Sequence, residues 1–139
     1  MSDLVTIDVT DGVADVRLNR PEKYNALSGA MFDAVIEAGE TLRDAGDVRA
    51  VVLSGNGPGF CAGLDMSSFQ GMADAAEAGE EVGGGLLAKD ERVENHAQRP
   101  AYIWKTLPMP VIAALHGVAY GGGCQIALGA DIRFASPDA

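Results

Sequence analysis

Gly121-Gly-Gly-Cys-Gln125 is the stretch of this 139-residue chain with the clearest chemical potential. Successive glycines cost backbone entropy and add no side-chain packing, so they belong where something approaches the main chain closely. If a helix opens there, its unpaired N–H groups and its dipole favour a negative or polarised oxygen. A plain glycine seam, where helix and strand pack tightly, accounts for the same three residues. A second glycine-rich stretch, Gly55-Asn-Gly-Pro-Gly-Phe-Cys-Ala-Gly-Leu-Asp65, follows a short apolar run. It lacks G-x-G-x-x-G spacing and contains Pro58, so it reads poorly as a dinucleotide loop. The better reading is a long excursion whose N–H groups near Leu64 point into a cleft. The alternative is a floppy surface loop, opposed by Phe60 and Leu64, which need cover. Cys61 and Cys124 have no metal-ligand spacing and no adjacent base, so they read as free thiols, and no metal is expected. His96 and His116 are isolated and read as packed or surface histidines.

The elements that must position these residues alternate between strand and helix. Leu4–Thr10 and Val13–Leu18 alternate apolar and polar residues around Asp11-Gly12, which predicts a hairpin with Val5, Ile7, Val9, Ala14, Val16 and Leu18 inward. The polar stretch Asn19–Leu27, with Pro21, is a loop. Ser28 is placed as the N-cap of a helix through Arg43, with Met31, Phe32, Val35, Ile36, Gly39 and Leu42 at helical spacing and Gly46 beyond its end. Val48–Leu53 is the next strand. Met66–Met72 reads as a short helix. Residues 73–89 shift to Ala, Gly and Glu, and a mobile segment is expected over 70–90. Helical character returns from Asp90 to Leu107, interrupted by Pro100, either as a lid or pocket wall or as a plain surface helix. Val111–Leu115 is a buried strand, Cys124–Leu128 a helix, and Asp131–Ala135 the start of another strand. The fold class is mixed α/β.

Composition narrows the classes of function. Apolar residues make up 47% and charged residues 22%, ordinary for one globular domain, and no apolar run is long enough to span a bilayer. A formal net charge of −10 argues against a nucleic-acid surface. A phosphate-bearing ligand stays possible, because main-chain N–H groups and a few local cations suffice. No secretory leader is recognisable at the start, so a cytoplasmic protein is expected.

Four segments, in order, resemble the N-terminal half of the enoyl-CoA hydratase/isomerase (crotonase) family. They are Leu18-Asn-Arg-Pro with Asn25-Ala-Leu27, Val51-Val-Leu-Ser-Gly with Phe60-Cys-Ala-Gly-Leu-Asp65, Pro110-Val-Ile-Ala-Ala with Gly117 and Gly121-Gly-Gly-Cys, and Ala130-Asp-Ile-Arg-Phe-Ala135. The resemblance implies a spiral of ββα repeats, of which residues 1–139 supply about two as a single, apparently truncated domain. It implies assembly as a homotrimer or hexamer, and acyl-CoA or enoyl-CoA thioesters of fatty-acid metabolism as substrates. Coenzyme A enters as part of the substrate, with no separate cofactor. Carried over by motif, the backbone N–H groups of Leu64 and Gly122 stabilise an enolate-like oxygen. Lys23, Tyr24, Ala26, Ala62, Asp65 and Met66 fall along the substrate-binding region. Arg20 and Lys23 could meet the phosphates of coenzyme A or be plainly solvated. Asp65 and Asp131 occupy positions whose roles are a loop-fixing hydrogen bond and a strand-start contact.

One departure bears on mechanism. The family's hydratases have a glutamate directly after Gly-Gly-Gly-Cys, where this chain has Gln125, and their second catalytic glutamate lies beyond the position of Ala139. An amide neither takes nor gives a proton near neutral pH, so Gln125 can orient water but cannot be a general acid or base. The expected activity is therefore of hydratase or isomerase type, with isomerisation by one later carboxylate the easier mechanism. The alternatives are an acyl-CoA-binding protein without turnover and a regulatory or assembly subunit.

Overall fold

Alternating apolar residues and an Asp-Gly turn build the first hairpin. β1 (Val5–Thr10) and β2 (Val13–Leu18) pair antiparallel. Both turn residues have positive φ, 51° at Asp11 and 81° at Gly12, the turn whose twist matches that of the strands it joins. Val5, Ala14, Val16 and Leu18 are buried as expected. Val9, expected inward, is 45% exposed, because it sits beside the turn on a strand with a neighbour on one side only. The computed structural model describes residues 3–79 and 91–139.

β3 (Ala50–Gly55), β4 (Val111–Leu115) and β5 (Ile132–Ala135) each add to the sheet in parallel, giving the order β1-β2-β3-β4-β5. Parallel neighbours need crossovers, and here the crossovers carry the helices and the glycine-rich loops. α1 (Gly29–Arg43) links β2 to β3. The Ser28 side chain accepts from the Met31 N–H at 3.3 Å, so the predicted cap holds. Met31, Ala34, Val35, Ala38 and Leu42 bury one face of α1 with Val16, Leu18, Val51, Leu53, Val111 and Ala113 of the sheet.

Between β3 and β4 lie α2 (Met66–Glu77) and α3 (Arg99–Lys105). α2 continues five residues past the short helix expected from sequence, over positions expected to be mobile; residues 80–90 of that expectation lie outside the described residues. α3 is shorter than the helix expected from Asp90 to Leu107. Pro100 does not interrupt it but stands in its first turn, where a missing N–H costs nothing. Just before it, the Asn95 N–H donates to Gln98 Oε1 and the Gln98 N–H to Asn95 Oδ1, both at 3.0 Å. This reciprocal pair has the pattern of a capping box, and the spacing Asn-x-x-Gln was its unread signal. Arg99, only 5% exposed, donates to Glu94 at 3.0 Å and to Glu40 of α1, which fastens residues 94–99 to that helix. Ile103 and Trp104 of α3 complete the core. α4 (Gly122–Gly129) follows β4 and packs beside α3, burying Ile126 and Ala127.

Candidate active site

Three loop segments run side by side at one end of the sheet. The Leu27 N–H donates to Gly63 O at 2.7 Å, and the Asp65 N–H to Leu27 O at 3.1 Å. The Cys61 N–H donates to Val118 O, and the Tyr120 N–H to Cys61 O, each at 3.0 Å. Residues 61–65 are thus clamped between the segment before α1 and the segment before α4. In such pairing successive residues turn alternately toward and away from a neighbour. Leu27 uses the groups of Gly63 and Asp65 and leaves those of Leu64 facing elsewhere.

The Leu64 N–H donates to no protein acceptor among the described residues, and neither does the N–H of Gly122, the first residue of α4. Gly63, the residue before Leu64, lies against the start of α4: a Cβ placed on Gly63 would stand 2.6 Å from Tyr120 O and 3.6 Å from Gly122 N. The seam reading of the triple glycine holds at one of the three residues. Gly123 is the seam, since its Cβ would meet Cys61 O at 2.4 Å, whereas Gly122 begins the helix with its donor free.

Asn25 organises this arrangement, a role not read from sequence. Fully buried, its side chain accepts from the Arg20 N–H at 2.7 Å and donates to the carbonyls of Asn56, Gly59 and Phe60 at 3.0–3.1 Å. Its own φ of 55° is one that asparagine tolerates better than most residues. Arg20, expected either at phosphates or in solvent, is engaged internally. Its Nη1 donates to Asp65 Oδ2 at 2.5 Å and to Ala26 O at 3.1 Å. Lys23, by contrast, is exposed at the end of a 3₁₀ turn (Pro21–Lys23), without an acidic partner among the described residues. Tyr24 is exposed, Ala26 buried and Ala62 half-buried, with the Ala62 N–H bonded to Tyr24 O at 2.9 Å; Met66 is exposed at the start of α2.

Asp65 fixes its loop: Oδ1 accepts from the Ser67 N–H at 2.9 Å and from its hydroxyl at 2.7 Å. Those two bonds, then the Arg20 guanidinium, hold the carboxyl well below the usual carboxylate range. A depressed folded value means that the ionised carboxylate supports the fold above the unfolded value of about 3.9. That support is lost only as pH falls toward the folded value. In an NMR titration the Asp65 carboxyl signal is expected to hold still from neutral pH down to about pH 4. A midpoint near the ordinary aspartate value would refute the assignment. Asp131 likewise serves structure, accepting from the Val111 N–H at 2.9 Å.

The cysteines differ sharply. Cys61 is buried with its thiol on Asn25 O at 3.1 Å, and burial pushes its pKa up to about 11. Cys124 is exposed. A maleimide applied at neutral pH to the native protein is expected to add a single label, at Cys124, as read by intact mass. Labelling of Cys61 would mean that the loop clamp opens.

Gln125 is exposed and lines a cleft of about 560 Å³ with Val93, Glu94, Tyr102 and Leu128. A smaller cleft of about 190 Å³ is walled by Leu64, Phe32, Asp33, Ser68 and His96. His96 is a packed histidine, as expected: its ring stacks on Phe32 with centroids 6.4 Å apart. His116 Nε2 lies 2.7 Å from Gly57 O.

A mostly parallel sheet with helical crossovers, one glycine-rich crossover loop lying against the start of the next helix, defines a mixed α/β fold. The chain belongs to the enoyl-CoA hydratase/isomerase family, whose model matches residues 8–139. It is 36% identical over 138 residues to the probable enoyl-CoA hydratase echA6 of Mycobacterium tuberculosis, covering 98% of this chain and 48% of that protein. It is 34% identical over 128 residues to the mitochondrial Delta(3,5)-Delta(2,4)-dienoyl-CoA isomerase of Rattus norvegicus, covering 91% and 38%. Among solved structures, an enoyl-CoA hydratase/carnithine racemase of Magnetospirillum magneticum superposes with a TM-score of 0.80 at 28% identity, over 99% of this chain and 48% of that one. The fold is crotonase-like, and the chain spans about half the length of the curated relatives it matches.

Proposed function

We propose that this chain carries the thioester-binding part of an enoyl-CoA hydratase/isomerase-type active site. The supporting observation is the adjacent pair of unpaired N–H groups at Leu64 and Gly122. A thioester carbonyl placed between them gains two hydrogen bonds that strengthen as negative charge moves onto oxygen, so the enolate is favoured over the ground state. One such donor is typically worth about 3 kcal/mol of barrier. The acyl group then extends toward the cleft beside α4, where Gln125 can orient a water molecule through its amide. The loop of Lys23, Tyr24 and Ala26 receives the coenzyme A end, with the Lys23 ammonium available to a phosphate. The same reading carries assembly into trimers or hexamers.

A second reading, acyl-CoA binding without turnover, is favoured by Gln125 standing in place of a glutamate. Two measurements on one preparation separate the readings. Calorimetric titration with a short-chain enoyl-CoA is expected to show saturable binding, and loss of the conjugated thioester absorbance is expected to show turnover. Binding without turnover would leave the second reading, and absence of binding would overturn both.

A further inference from the structure

We infer that Arg99 is a positioning residue for acyl-chain selection, an assignment that rests on the proposed acyl-CoA site. It acts through the strap of residues 93–98, which its guanidinium holds against α1. Val93, Glu94 and Gln98 of that strap line the larger cleft, and His96 lines the smaller one. Gln125, on the other side of the larger cleft, is three residues along α4 from Gly122. That spacing is roughly 4.5 Å of helix axis, on the same face of the helix. The strap is thus one wall of the space that an acyl group enters from the helix start.

The backbone alone does not fix this wall. Residues 93–98 contain neither helix nor strand, and among the described residues their main-chain to main-chain hydrogen bonds close within 95–102. Side chains tie the strap to α1. Buried Arg99 donates through Nη1 to Glu94 Oε1 at 3.0 Å and through Nη2 to Glu40 of α1. The His96 ring lies on Phe32 of α1 at an interplanar angle of 24°. Phe32 and Glu40 are eight residues apart in α1, about 12 Å along its axis, so the strap is held at two separate points. Glu94 lines the cleft, yet its side chain is nearly buried. One guanidinium therefore joins a cleft-lining carboxylate to a core helix, a task that suits the rigid fork of arginine.

Without that guanidinium, Glu94 is left as a buried, unpaired charge. It turns to water and carries Val93 and the strap backbone away from the cleft. Ala101, Leu128 and Gly129 stay in place on α3 and α4, so the cleft keeps its floor and loses one apolar wall. A butyryl group is too short to fill a cleft of about 560 Å³ and depends little on that wall. A decanoyl group depends on it heavily. Both carry the same coenzyme A, so any effect at the nucleotide end, or of altered charge, cancels in the ratio of their affinities.

The test measures calorimetric affinities for butyryl-CoA and decanoyl-CoA, with thermal melting, on wild type, R99M and E40Q. R99M is expected to bind decanoyl-CoA about tenfold or more weakly, equivalent to roughly two methylene groups returned to water, while butyryl-CoA changes less than about threefold. E40Q weakens the tie to α1 from a half-exposed position, keeps the Glu94 pair, and is expected to shift the ratio the same way by more than about threefold. A ratio within about threefold of wild type in R99M, or in E40Q where R99M does not fold, would overturn the assignment and leave Arg99 a stabilising ion pair, whatever the melting temperatures. Wild-type protein that binds decanoyl-CoA no more tightly than butyryl-CoA would overturn it too, yet leave the thioester site standing. Wild-type protein that binds neither would overturn the site and the assignment together.

Discussion

Gly63→Ala is expected to reduce turnover of an enoyl-CoA by about 1,000-fold or more while leaving the core folded. Gly63 has a φ of 84°, and an added Cβ would stand 2.6 Å from Tyr120 O and 3.6 Å from Gly122 N. The loop cannot absorb that contact without moving Leu64 away from Gly122, so both proposed donors lose their alignment at once. Loss of one donor alone typically costs 100- to 1,000-fold, roughly 3–4 kcal/mol, and here the second is displaced as well. Gly63 is not among the apolar core residues, so the loss of stability should be local: backbone strain of about 1–2 kcal/mol together with the cost of that contact. Steady-state kinetics and thermal melting on one preparation separate the two effects. Activity within tenfold of wild type would show that the alignment of the two N–H groups is not what drives the reaction.

Asn25→Ala is the substitution expected to cost most in stability. Its amide is inaccessible to water and makes four side-chain hydrogen bonds, three of them to carbonyls of the 56–60 loop. Truncation strands those groups without water to replace the lost partner, and leaves alanine at a φ of 55°. A loss of about 4 kcal/mol is expected, read as a lower urea midpoint. Asn25→Asp keeps the shape and the acceptor but cannot donate, and it should recover little. A loss below about 1 kcal/mol for the alanine variant would mean that the loops are held by their backbone pairing alone.

Local pattern exposed much of the fold. The Asp11-Gly12 turn, the Ser28 cap and the apolar spacing along Gly29–Arg43 are decided within a few residues of one another, and the structure agrees with each. Contacts over long sequence separations were another matter. Arg20 looks like a free cation beside a proline, and only the chain path brings it to Asp65, 45 positions away. Asn25 looks like one more polar loop residue until the 56–60 loop closes over it. Pro100 reads as a helix breaker because its neighbours on both sides are helical in composition; the Asn95–Gln98 pair, which places the helix start just there, is the deciding feature. Leu64 and Gly122 were reached by resemblance to a family. The glycines around them showed only that the main chain comes close to something; pairing of Gly63 and Asp65 with Leu27 then accounts for the free N–H of Leu64, and the helix start for that of Gly122.

The proposed role of the Leu64 and Gly122 N–H groups is to polarise a thioester carbonyl. Its most direct test is the carbonyl stretching frequency of bound butyryl-CoA, isolated by carbon-13 labelling at C1 and infrared difference spectroscopy. Two aligned donors predict a clear shift to lower frequency relative to the same thioester in water, and Gly63→Ala should abolish that shift. A bound carbonyl absorbing at or above its frequency in water would rule out that role, however tightly the ligand binds.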